Sequence, residues 1–228
     1  MKTKNLLEKL LDREDLTFDE ASWMMNRIME GEVTVGLTAA MLVALRMKGE
    51  TVEEVTACAM VMREKSTKIP VRYDLLIDTC GTGGDNSGSF NISTTVALLL
   101  AGAGYKIAKH GNRSMTSKSG SADLLEALGV NINLNPGQVA HCIAEVGIGF
   151  LFAPALHSSM RNVGPIRKEL AVRTIFNMLG PLTNPAGANI QIIGLYSHQL
   201  VSKVIRVLKD LGSESAFVFS GLSRLDEV

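Results

Sequence analysis

At Pro70 the hydrophobic period of this 228-residue chain changes, and that change constrains the fold more than any other feature. Before it, apolar residues recur only at helical spacing. Leu6, Leu7, Leu10 and Leu11 predict the buried face of a first helix. Thr17-Phe-Asp-Glu20 has the form of a capping box. It opens a helix with Ala21, Met24, Met25 and Ile28 on one stripe, stopped at Gly31. Val35–Met47 predicts a third helix ended at Gly49, and Thr51-Val-Glu-Glu54 caps a fourth running to about Lys65.

Beyond Pro70, short runs of β-formers alternate with helical patterns. Strands are predicted at Leu75–Asp78, Tyr105–Lys109, Val130–Leu134, Gly149–Ala153, Ile190–Tyr196 and Ala216–Ser220. Helices are predicted at Ser93–Ala103, Ala122–Leu128, Gly137–Val146, Val163–Met178 and His198–Leu211. Such alternation, with apolar strands, predicts a mostly parallel central sheet covered by helices. The expected class is α/β: a small all-helical domain at residues 1–70, and a larger α/β domain at 71–228. Helices around 163–180 are expected to pack on the small domain.

Composition narrows the function classes. Lys plus Arg and Asp plus Glu are 23 each, and only 5% of residues are aromatic. A neutral chain with few rings is poorly equipped to grip nucleic acid or an anionic membrane. No apolar run reaches the length of a bilayer span, and Met1-Lys2-Thr3-Lys4 leads into an amphipathic segment rather than a signal core. Cys58, Cys80 and Cys142 lie far apart without a C-x-x-C, which suits a reduced compartment. A cytoplasmic protein with neither nucleic-acid nor membrane partners is expected.

In open parallel sheets ligands bind beyond the carboxyl ends of the strands, and the unusual loops here follow predicted strands. Asp78-Thr-Cys-Gly-Thr-Gly-Gly-Asp85 places glycines 81, 83 and 84 directly after the first strand, where backbone N–H groups can approach a phosphate. Asn91-Ile-Ser93-Thr94 then opens a helix whose first amides can receive an anion. Each feature alone is also an ordinary turn and an ordinary cap. The turn is neither a P-loop, lacking Gly-Lys-Ser/Thr, nor a G-x-G-x-x-G, since position 86 is Asn.

Lys109-His-Gly-Asn-Arg-Ser-Met-Thr-Ser117 packs two cations, an amide and three hydroxyls into one loop, a mixture able to neutralise a polyphosphate. Gly120-Ser-Ala-Asp123 caps the next helix. Arg167 is either a carboxylate clamp or a surface ion pair. Gly180-Pro-Leu-Thr-Asn-Pro185 reads only as a bend. Asp226-Glu227 are adjacent oxygen ligands of the kind Mg²⁺ takes, or simply solvated acids. The histidines form no H-E-x-x-H and no serine lies in G-x-S-x-G, so neither zinc nor covalent catalysis is indicated.

In this order, Gly81-Thr-Gly-Gly-Asp85, Asn91-x-Ser93-Thr94, Lys109-His-Gly-Asn-Arg113, Gly120-Ser-Ala-Asp123 and Arg173-Thr-Ile-Phe-Asn…Gly-Pro-Leu-Thr-Asn-Pro185 closely resemble the anthranilate phosphoribosyltransferases. The resemblance runs along the whole chain. It implies the two-domain fold derived above, a homodimer joined through the helical domain, and transfer of phosphoribose from 5-phosphoribosyl 1-pyrophosphate to anthranilate with release of pyrophosphate. Carried over, Gly81, Gly84, Asp85, Ser89, Asn91, Ile92, Ser93 and Thr94 would hold the donor. They would be joined by Lys109, His110, Gly111, Asn112, Arg113, Ser114, Met115, Thr116, Ser117 and Ser121. Gly81, Asn112 and Arg167 would contact anthranilate. Ser93, Asp226 and Glu227 would hold Mg²⁺, and Lys109, Asp226 and Glu227 would be catalytic.

Ser220-Gly221-Leu-Ser-Arg224-Leu225 departs from the family pattern before the acidic pair. The chain ends one residue past Glu227, which reads as a C-terminally incomplete form. Two other readings accompany this one. Pyrimidine nucleoside phosphorylase shares the fold and a similar Lys-His…Asn-Arg-Ser-x-Thr-Ser loop, and a non-catalytic binding form is the other.

Overall fold

The computed structural model describes residues 2–83, 90–114 and 119–221. In chain order they form α1 (Thr3–Leu11), α2 (Phe18–Glu30), α3 (Val35–Lys48), α4 (Val52–Lys65), β1 (Leu76–Gly81), α5 (Ile92–Gly102), β2 (Lys106–Gly111), α6 (Ser121–Ala127), α7 (Pro136–Val146), β3 (Ile148–Phe152), α8 (Ala153–Leu156), α9 (Gly164–Leu170), α10 (Ile175–Leu182), β4 (Ile190–Gly194), α11 (Val201–Asp210) and β5 (Ser215–Phe219). They separate into two compact units. One comprises the chain up to Ser66 together with His157–Thr183, and the other Thr67–Leu156 together with the chain from Asn184 onward.

The first unit is helical. Thr17 and Glu20 form the reciprocal capping box of α2, and Gly31 closes that helix in the left-handed region at φ 76°. Ala21, Met24, Met25, Ile28 and Met29 of α2 are buried, as are Val55, Cys58, Ala59 and Met62 of α4. In α1 the buried stripe is narrower than the spacing predicts. Leu6 and Leu10 are buried, whereas Leu11 is 64% exposed, because a pair one turn apart is all that this short helix presents to its neighbours.

Glu54 is the polar centre of the unit. Fully buried, it accepts from the backbone N–H of Leu16 and of Thr51, both at 2.8 Å, and pairs with Lys48 Nζ at 3.0 Å. These partners satisfy a charge that would otherwise be costly to bury. The single helix predicted over Val163–Met178 is two. Ala171 takes a left-handed conformation at φ 50° and ends α9, and α10 restarts where Thr174 N–H donates to Asn177 Oδ1 at 3.0 Å.

The second unit is built on a five-stranded parallel sheet of order β3-β2-β1-β4-β5. One face buries Leu76, Ala108 and Leu151 with Val139 and Ile143 of α7. The other buries Ile77 and Ile107 with Ala97 of α5. Val130–Leu134, predicted as a strand, is a connection without a ladder. Its apolar/asparagine alternation imitates a strand, but asparagine side chains serve the local backbone instead. Asn133 N–H donates to Asn131 Oδ1 at 3.0 Å, and Asn135 caps α7. Only Ile132 of this segment is fully buried, packed with Ala122, Leu125 and Phe150.

Candidate active site

Because all five strands are parallel, the segments after β1, β2 and β4 leave the same edge of the α/β unit. The chain runs from β1 outward through β2 to β3, then returns to the other side of β1 for β4 and β5. Such a reversal leaves a crevice beside the central strand at the carboxyl ends. That reversal lies between β1 and β4, whereas the ladder itself opens on the other side of β1, toward β2. β1 and β2 are in register only at Leu76/Lys106 and Ile77/Ile107. By contrast, β1–β4 pairing continues to Gly81/Gly194, and β2–β3 pairing to Gly111/Phe152.

Lys109 sits in this opening. Its side chain is 1% exposed, and Nζ donates to Thr79 O at 2.6 Å and lies 3.5 Å from Ser93 Oγ. Ser93 is in the first turn of α5, which Thr79 ties to β1 by donating its hydroxyl to Ser93 O at 2.8 Å. Asn91 at the N-cap makes no side-chain capping bond. Thr94, in the same turn, is buried with a hydroxyl that has no hydrogen-bond partner among the described residues. A buried ammonium, the Ser93 hydroxyl and the positive end of an 11-residue helix therefore meet near the end of β1, where Gly81 is exposed. This is a setting for polyanionic oxygen.

At the next residue of β2, His110 N–H points toward β1 and donates to Asp78 Oδ1 at 3.0 Å. Asp78 Oδ2 accepts from Asn184 Nδ2 at 2.8 Å. Burial pushes the Asp78 carboxyl above the usual aspartate range, while the charge of Lys109 and the donors from Asn184 and His110 pull it down.

The segment after β2 is held by acids of α6. Asp123 Oδ2 accepts from Ser114 N–H at 2.9 Å and Gly120 N–H at 2.8 Å, bonds that hold its carboxyl below the ordinary range. Arg113 forks onto Glu126 at 2.6 and 2.9 Å, reaches Asp123 at 3.2 Å, and lies 5.7 Å from the Phe152 ring centre. Asn112 O accepts from Ser121 Oγ at 3.3 Å and from Ala122 N–H at 3.2 Å. Gly111 and Gly120 are sterically required. A Cβ at 111 would strike Ser121 Oγ and come within 2.7 Å of the Phe150 ring, and one at 120 would strike the Arg113–Ser114 backbone.

Arg167 belongs to the helical unit. Its guanidinium lies 5.4 Å from the Phe176 ring centre, and no carboxylate among the described residues pairs with it. Burial lowers its pKa, the mark of a cation short of solvation.

Of the residues singled out from the sequence, the structure thus brings Ser93 and Lys109 together beside Gly81, Asn91, Ile92 and Thr94. It gathers Gly111, Asn112, Arg113, Ser114 and Ser121 into the neighbouring turn. Gly84, Asp85, Ser89, Met115, Thr116, Ser117, Asp226 and Glu227 lie outside the described residues. Asp78 and Asn184 were not singled out. Asp78 stands in the glycine motif and Asn184 in the run read as a bend, but a partnership across 106 positions leaves no local spacing to read.

Residues 73–228 match the glycosyl transferase family, a/b domain, and residues 4–66 the glycosyl transferase family, helical bundle domain. The chain is 53% identical over 226 residues to the anthranilate phosphoribosyltransferase of Persephonella marina, covering 99% of this chain and 67% of that one. It is 51% identical over 229 residues to that of Hydrogenovibrio crunogenus, covering 100% and 67%. Among solved structures, the anthranilate phosphoribosyltransferase of Thermus thermophilus superposes with a TM-score of 0.90 at 44% identity, covering 96% of this chain and 67% of that one. The Saccharomyces cerevisiae enzyme in complex with PRPP and Mg does so with a TM-score of 0.91 at 31% identity, covering 99% and 67%. The chain therefore spans about two thirds of the length of these relatives.

Proposed function

The chain belongs to the anthranilate phosphoribosyltransferase family, and on that premise we propose that it transfers phosphoribose from 5-phosphoribosyl 1-pyrophosphate to anthranilate, in tryptophan biosynthesis. The bond from C1 to pyrophosphate breaks, the anthranilate nitrogen bonds to C1, and the nitrogen gives up a proton. The observation that carries the reading is the buried Lys109 ammonium, set between Thr79 O and Ser93 Oγ at the open end of α5. Anthranilate's amine is already nucleophilic, so the barrier lies in separating C1 from pyrophosphate. A preorganised cation and helix amides aimed at the leaving group stabilise the charge that develops there.

In this reading Gly81, Asn91, Ile92, Ser93, Thr94 and Lys109–Ser114 hold the donor with Ser121. Gly84, Asp85, Ser89 and Met115–Ser117 join them by resemblance. Within that loop Arg113 has a distinct part. Bound to Glu126 and Asp123, it fastens the turn that presents the Asn112 and Ser114 backbone. Arg167, stacked on Phe176 and without an acidic partner among the described residues, receives the anthranilate carboxylate, and by resemblance Gly81 and Asn112 also contact the acceptor. The oxygen donors Ser93, Asp226 and Glu227 are chemically suited to Mg²⁺, and the Ser93 hydroxyl lies on the Lys109 side of the α5 terminus. When bound, Mg²⁺ neutralises pyrophosphate charge.

The proposal includes a cytoplasmic homodimer. No helix among the described residues is long and apolar enough to cross a membrane. Leu11, Val35 and Met47 of the helical unit are exposed apolar side chains of the kind a second copy would cover, which sedimentation tests. The reaction is tested by anthranilate fluorescence. It should fall only when phosphoribosyl pyrophosphate and Mg²⁺ are both present. Phosphate-dependent cleavage of uridine or thymidine, with anthranilate untouched, would reverse the assignment in favour of a nucleoside phosphorylase.

A further inference from the structure

The opening between β1 and β2 is held by side chains standing in for a β-ladder. Ile107 directs its N–H to Gly147 O at 2.8 Å, toward β3. By strand alternation, the backbone groups of residues 108 and 110 face β1. On β1, Thr82 N–H bonds to Gly194 O at 3.0 Å, toward β4, so the carbonyl of Thr79 faces β2. In an unbroken sheet these groups would pair with one another. Here Ala108 O accepts from Asn184 Nδ2 at 2.8 Å, His110 N–H donates to Asp78 Oδ1 at 3.0 Å, and Thr79 O accepts from Lys109 Nζ at 2.6 Å.

Asp78 and Asn184 are bonded to each other at 2.8 Å and are 0% and 4% exposed. The Asn184 amide has one workable orientation, since Nδ2 serves two acceptors while Oδ1 accepts from Ala186 N–H at 2.9 Å. Both hydrogen-bond partners of the Asp78 carboxylate among the described residues, His110 N–H and Asn184 Nδ2, are donors.

The geometry points to Asp78 and Asn184 as a positioning pair that keeps the ends of β1 and β2 apart, so that Lys109–Gly111 faces the phosphoribosyl donor. Neither residue needs to touch substrate. The inference rests on the proposed function. It adds that affinity for the donor depends on a buried carboxylate–amide bond behind the site. Side chains satisfy these backbone groups and still leave the sheet open, which direct strand pairing could not do.

The test is calorimetric titration of Mg²⁺ and phosphoribosyl pyrophosphate into the unaltered chain, Asp78→Asn, Asn184→Ser and Ile143→Val, with thermal unfolding of each. Asp78→Asn sets an amide donor against donors. Asn184→Ser keeps the Asp78–His110 bond and removes the amide. Ile143→Val loosens the core of the same unit away from the opening. Donor affinity per folded molecule should fall about tenfold or more in the first two variants and stay within about twofold in the third. Unchanged affinity in folded Asp78→Asn and Asn184→Ser would overturn the inference alone. So would failure of both to fold, which would make the pair a fold determinant. Absence of binding by the unaltered chain would overturn the proposed function and the inference with it.

Discussion

At the scale of single residues, the proposed site consists of few groups held tightly by neighbours. Gly111 is the sharpest case, because a methyl group there meets Ser121 and the Phe150 ring. Gly111→Ala should lower stability by about 1–3 kcal/mol, read as a reduced urea midpoint at unchanged slope, and weaken donor binding as the turn shifts. Arg167 is predicted to act on the acceptor alone. Arg167→Gln should raise the KM for anthranilate about tenfold or more while leaving calorimetric affinity for phosphoribosyl pyrophosphate unchanged. An equal loss for both ligands would contradict its assignment. Asp123 provides a pH signature. Its folded pKa is depressed by the Ser114 and Gly120 amides, so its contribution is present above the unfolded value of about 3.9 and is lost as pH falls through the folded one. Asp123→Asn should therefore flatten the acid limb of the stability profile measured by urea unfolding between neutral pH and about pH 3.

At the scale of elements, caps explain both what the sequence reveals and what it hides. Helices α2 and α4 are legible because Thr17/Glu20 and Thr51/Glu54 spell out capping boxes with apolar stripes behind them. The Asn135/Gln138 box of α7 is equally effective, with bonds of 3.0 Å in both directions, so Asn135→Ala should cost about 1 kcal/mol in chemical denaturation. The errors have local causes. The alternation in Val130–Leu134 predicts a strand, but its asparagines bond to their own backbone. The break at Ala171 carries neither glycine nor proline, so nothing in the sequence announces it. The crevice was legible as a place, since the glycine turn and the Lys109 loop follow adjacent strands. Its construction was not. The short β1–β2 register and the Asp78–Asn184 bond arise from tertiary pairing, which periodicity does not encode.

At the scale of the whole molecule, the chain order crosses the physical division. His157–Thr183 belongs to the helical unit although it lies between β3 and β4 of the sheet, and the half-buried Arg63 Nε–Leu182 O bond of 2.7 Å ties that segment to α4. The α/β unit carries the proposed donor groups, so binding there should stabilise the native state by mass action. At about 100 times the dissociation constant the gain is about 2.7 kcal/mol, visible as a rise in thermal midpoint with Mg²⁺ and phosphoribosyl pyrophosphate together. Lys109, at the open end of β2, is the proposed anchor of that donor, and its role has a direct readout. It is tested most directly by titrating phosphoribosyl pyrophosphate with Mg²⁺ into the chain and into Lys109→Met. One saturable site per chain is expected, weakened about tenfold or more in folded Lys109→Met. Equal affinities in the two proteins, or no binding to the unaltered one, would contradict it.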